Sequence, residues 1–182
     1  MPTVSSPPQL VLLTLGASAD PDGPARLLPV VAERLGALSG LPLQTIPEEG
    51  SPQAALAALH GCAGPWLAPL RVDPGLPLPG GHWAGALGAW RQPCLLVMPP
   101  SRLATGLPAA GHALLVRCGV PLAGLIQWGG SWDAGERRDD GLPWLGWLEA
   151  REPTEPDQPT DADAALLAAL QRRWRALKAL LA

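Results

Sequence analysis

Residues 93–148, PCLLVMPPSRLATGLPAAGHALLVRCGVPLAGLIQWGGSWDAGERRDDGLPWLGWL, decide the fold. CLLVM is a short continuous apolar run, the pattern of a strand buried on both faces of a parallel sheet. A helix is expected from about Ala104 to Cys118, then a second apolar strand, PLAGLIQW. The loop GGSWDAGERRDD separates that strand from a last short one, GLPWLGWL. Strands alternating with helices imply βαβ units and a parallel sheet covered on both sides.

The same alternation extends toward the N-terminus. Gln9 to Leu15 (QLVLLTL) has the length and apolarity of another buried strand, and the turn GASADPDG follows it. Pro24 suits the first turn of a helix running to about Leu38, and Gly40 ends that helix. LPLQTI is expected as the second strand, and Ser51-Pro52 as N-cap and first residue of a helix through His60. PWLAPLRV makes a third strand interrupted by prolines, and a short helix covers Trp83 to Trp90.

Composition changes after Glu149. Pro153, Pro156 and Pro159 recur every three residues, the period of polyproline II, so 151–160 is expected as a Pro-rich linker. At ~3.1 Å per residue it would span roughly 25–30 Å. Thr160 with Asp163 has the form of a capping box opening an amphipathic helix over 161–182. Its apolar stripe is Leu167, Leu170, Trp174, Leu177 and Leu181. That stripe suits a partner helix or a second copy of the chain. With barely two heptads present, docking on its own domain is the plainer reading. The expected fold is therefore α/β: residues 1–150 form a single doubly wound, mostly parallel sheet with helices on both faces, and a C-terminal helix follows.

Bulk properties narrow the function classes. The 182 residues suit one domain, with 47% hydrophobic residues, 16% charged residues and a net charge of -3. Nothing here favours nucleic-acid binding through phosphate neutralisation. The three cysteines are widely spaced and form no CxxC pair, as expected of a reduced cytoplasmic protein. The N-terminus lacks the basic and apolar regions of a signal peptide, and no apolar run is long enough to span a membrane. The aromatic set is eight Trp without Phe or Tyr: a stacking platform for a base or a sugar is one reading, and Trp as the supplier of bulky core side chains is the plainer one.

From Pro93 to Leu148 the chain resembles dethiobiotin synthetase, a family with the P-loop NTPase fold. The residues carrying the resemblance are PCLLVM, LPAAGHALLVRCGVPLAGLIQW and LPWLGWL, with Glu149 where a second proline is common. The resemblance implies ATP and Mg²⁺ held by a first turn of the form G-x5-G-K-T. Here that stretch is GASADPDGPA, Gly16 to Ala25: its glycines are one residue too far apart, Pro24 stands for the lysine and Ala25 for the hydroxyl. Asp20 and Asp22 add negative charge where phosphate would lie. The lysine expected after the second strand is missing from QTIPEEG, the Mg²⁺-binding acid is missing from PLPGG, and the adenine-reading position falls beside Gln127. The only lysine is Lys178.

The front half is similar to the small sirohydrochlorin chelatases, through LGASADP, VVAERL, SPQAALAAL and LPGGH. His82 matches the second histidine of that family's metal site, and Leu15 stands where the first would be.

In open parallel sheets ligands bind beyond the carboxyl ends of the strands. Four loops are expected there: Gly16–Gly23, Pro79–His82, Pro99–Arg102 and Gly129–Asp133. The candidate ligand-binding residues are His82, Trp83, Arg102, Gln127, Trp128 and Ser131. No residue is assigned a catalytic role. The expected function is a non-catalytic binding or assembly protein with a dismantled nucleotide site, needing no cofactor. The alternatives are a divergent ATP- and Mg²⁺-dependent ligase, or a tetrapyrrole metal chelatase in which His82 binds metal.

Overall fold

The computed structural model describes residues 8–47, 50–150 and 159–181, the side chain of residue 181 excepted. Five strands make one all-parallel sheet: β1 (Gln9–Leu13), β2 (Trp66–Pro69), β3 (Cys94–Met98), β4 (Leu122–Trp128) and β5 (Trp144–Leu148). Their spatial order is β2-β1-β3-β4-β5. The chain moves outward from β1 to β2 and returns to the other side of β1 at β3. The doubly wound switch point therefore lies between β1 and β3.

The alternation of side chains along each strand sorts the core into two layers. Leu10 and Leu12 of β1, with Leu95 and Val97 of β3, face α1 (Pro24–Ser39) and the C-terminal helix. Val11 and Leu13, with Leu96 and Met98, face the opposite side. There they meet α2 (Pro52–His60), α3 (Trp83–Ala89) and α5 (Leu107–Arg117). Both layers are apolar because the strands are buried on both faces, as the continuous hydrophobic runs require. Ser51 caps α2 by accepting the Ala54 N–H at 3.2 Å.

Four expectations are corrected. LPLQTI is not a strand: only Leu43 bridges to Leu67, because Pro42 brings no N–H and Leu43 stays exposed at the sheet edge. The third expected strand shrinks to Trp66–Pro69, the part paired with β1. The helix expected from about Ala104 begins earlier as a short turn, α4 (Pro100–Leu103), and restarts as α5, with Pro108 in its first turn. The loop after β4 contains α6 (Ala134–Asp139), capped by Asp133, which accepts the N–H groups of Gly135 and Glu136.

The expected capping box is formed. Thr160 N–H donates to Asp163 Oδ2 at 2.9 Å, and Asp163 N–H donates to Thr160 Oγ1 at 3.2 Å. The helix it opens, α7 (Asp161–Leu181), packs on β4 and β5. Leu166, Leu170 and Leu177 are buried there, with Leu167 and Trp174 at the margin. Leu167, Leu170, Trp174 and Leu177 of the expected stripe thus dock on their own domain, while the side chain of Leu181 lies outside the described residues. The linker expectation for 151–160 falls largely outside the described residues. Among the described residues, no helix is long and apolar enough to cross a membrane.

Candidate functional site

The loop after β1 is tied to its neighbours at three points. Gly16 N–H donates to Asp73 Oδ2 at 2.5 Å, which joins it to the segment after β2. Ser101 Oγ donates to Asp22 Oδ2 at 2.5 Å, and Arg102 lies 3.6 Å from Asp20 Oδ2, so α4 holds the loop from the β3 side. Gly16 has φ 108°, and a Cβ built there would lie 2.6 Å from the Arg102 guanidinium nitrogens. Only glycine admits both that backbone conformation and the guanidinium laid against it. Asp73 is fully engaged, since its Oδ1 also accepts the Gly75 N–H at 2.7 Å.

A second group of residues gathers after β4. Gln127 is fully buried, and its Nε2 donates to the carbonyls of Gly129 at 2.8 Å and Ser131 at 2.9 Å. Its Oε1 has no hydrogen-bond partner among the described residues. Gly130, with φ 70°, presses against Pro100 of α4, where a Cβ would come within 2.8 Å of the proline ring. Beside this contact a depression of about 430 Å³ is lined by Pro100, Leu103, Ala104, Ser131, Glu136 and Arg137. Arg137 stacks over Trp144, 5.3 Å from the ring centroid, and pairs with Glu136 at 3.0 Å. Trp132 meets the same Trp144 edge to face.

No family model matches the chain, and no curated protein matches it.

The expected ligand residues separate. Arg102 meets the Gly16 loop, and Gln127 meets Ser131. Trp128 packs instead against the layer shared with α7. Trp83 is buried in the opposite layer. His82 serves as the N-cap of α3, its Nδ1 accepting the Gly85 N–H at 2.9 Å. Among the described residues, no group of three His, Cys, Asp or Glu is placed to hold a metal ion.

The first turn does not fit a magnesium nucleotide. A phosphate there needs free backbone N–H groups and open space above the glycine. Instead Asp73 takes the Gly16 N–H, Arg102 fills the space, and two further carboxylates stand beside it.

Sequence reasoning missed Asp73, Ser101 and Arg137 as partners in this region. Asp73 had a local signal in Asp-Pro-Gly, whose first residue commonly accepts a backbone N–H two residues on. The pairing of Ser101 with Asp22 spans 79 residues and had none.

At the margin of α7, Leu167, Trp174 and Arg175 face Pro8, Leu41 and Pro65 across a groove of about 470 Å³. It lies against α1 and α7, apart from the strand-end loops.

Proposed function

We propose that this chain is a non-catalytic binding or assembly protein on a dethiobiotin synthetase-like scaffold whose nucleotide site has been dismantled. One observation supports the reading above all. The turn that would cradle phosphates is filled by the Arg102 guanidinium, and its Gly16 N–H is spent on Asp73. A transferring phosphoryl group needs fixed positive charge and a metal at its oxygens. Here the one guanidinium at the turn, Arg102, already faces Asp20, Asp22 adds a second carboxylate, and the single lysine sits on α7. A cytoplasmic location belongs to the same reading, supported by three unpaired cysteines.

Titration calorimetry of ATP with and without Mg²⁺ tests it. The expected result is no saturable Mg²⁺-dependent heat. Micromolar binding that requires Mg²⁺ would restore the ligase alternative.

A further inference from the structure

Arg102 is under-compensated where it lies. Its side chain is 9% exposed, yet among the described residues its only ion pair is with Asp20, at 3.6 Å, and that carboxylate is 55% exposed. Nη1 is buried without a hydrogen-bond partner among the described residues. Two residues before Gly16, just past β1, the fully buried Thr14 also has a hydroxyl without a partner among the described residues. Two polar groups buried without partners thus flank one loop at the switch point, the place where doubly wound sheets take ligands.

A separation of 3.6 Å is an ionic contact rather than a hydrogen bond. A guanidinium fork that meets a carboxylate squarely makes two parallel bonds of about 2.7–2.9 Å. Asp20 does not supply that geometry, and its exposure makes the contact weak. The other carboxylates nearby are committed, Asp73 to two backbone N–H groups and Asp22 to Ser101.

We propose that Arg102 is the receptor for the carboxylate of a small ligand and that Asp20 is its internal stand-in. The inference rests on the reading of a binding protein and names the ligand class. A planar monoanion matches a single guanidinium fork. A phosphate dianion would meet roughly twice the repulsion from Asp22 and Asp20. Binding displaces the exposed Asp20 side chain and leaves the Gly16–Asp73 bond in place.

The test is an NMR titration of the full-length protein with propionate, followed at the Gly16 amide against sodium chloride of equal ionic strength. In Asp20→Ala, propionate should bind about fivefold tighter than in wild type, the ceiling set by the worth of an exposed ion pair. Arg102→Gln should abolish the shift, and Arg102→Lys, which keeps charge without the fork, should weaken it. An unchanged affinity in Asp20→Ala overturns the proposal, as does a shift that survives Arg102→Gln. Should the buried substitution fail to fold, the Asp20→Ala comparison decides alone. Inorganic phosphate that binds Asp20→Ala more tightly than propionate rejects the carboxylate class. None of these outcomes involves Mg²⁺ or ATP, so failure here is distinct from failure of the binding-protein reading.

Discussion

Arg34 and Asp163, 129 residues apart in sequence, form an ion pair of 2.8 Å between α1 and the start of α7. Asp163 is 1% exposed, and the same carboxylate completes the capping box with Thr160. One side chain therefore both opens the last helix and fixes it to the first. Asp163→Ala removes the ionic hydrogen bond and the cap together, and a hydrogen bond to a charged group contributes about 1.5–3 kcal/mol. Asp163→Ala should therefore lose about 2–4 kcal/mol in urea unfolding. Asp163→Asn, which keeps a capping acceptor, should recover only the smaller part due to the cap, about 1 kcal/mol.

Deleting α7 should abolish cooperative unfolding. Leu166, Leu170 and Leu177 are buried against the sheet, and each contributes about 1.5–3 kcal/mol when fully buried. Their loss rivals the ~5–15 kcal/mol that stabilises a typical domain. Removal of residues 151–182 should give a broad thermal transition by circular dichroism. A sharp transition with a changed mass in light scattering would instead assign the helix to a partner.

The strands were legible because burial on both faces leaves a continuous apolar run, as in Cys94–Met98 and Leu122–Trp128. The edge was harder. LPLQTI has the same local apolarity, but Pro42 and the exposed Leu43 leave it only one bridge to β2. The helix at Ala134–Asp139 carried a signal in Asp133 and Glu136, spaced as a cap and its third residue. The gathering of loops at the strand ends was legible, since it follows from topology. The contacts between those loops were not. Arg102 and Gly16 meet only because β1 and β3 are neighbours in space, and nothing local in either segment specifies that contact.

Gly88→Ala should destabilise the protein although alanine is the better helix former. A Cβ at Gly88 would lie 1.7 Å from the Cys118 carbonyl oxygen, a backbone atom that cannot rotate away. α3 must then move from the end of α5 and disturb the layer containing Leu87 and Leu115. Overpacking of this kind costs about 1–3 kcal/mol, more than the ~1 kcal/mol alanine gains in helix propensity. A raised melting temperature in scanning calorimetry would show that α3 does not approach α5 this closely.

Cys94 should be the unreactive thiol and should give the protein an alkaline stability limit. It is fully buried on β3, and burial raises its thiol well above the ordinary range. Cys62 and Cys118 are partly exposed. A disulfide reagent at pH 8 should therefore modify those two in the native state and Cys94 only on unfolding. The folded form keeps the Cys94 proton at a pH where the unfolded chain releases it. The resulting stability is fully present below about pH 8.5, the ordinary thiol value. It then falls by about 1.4 kcal/mol per pH unit until the folded thiol ionises. The chain has no tyrosine and one lysine, so few other side chains titrate in that window. Urea unfolding between pH 7 and 10 should show the decline, and Cys94→Ala should flatten it while lowering stability at pH 7. An equal slope in Cys94→Ala would place the alkaline limit on another group.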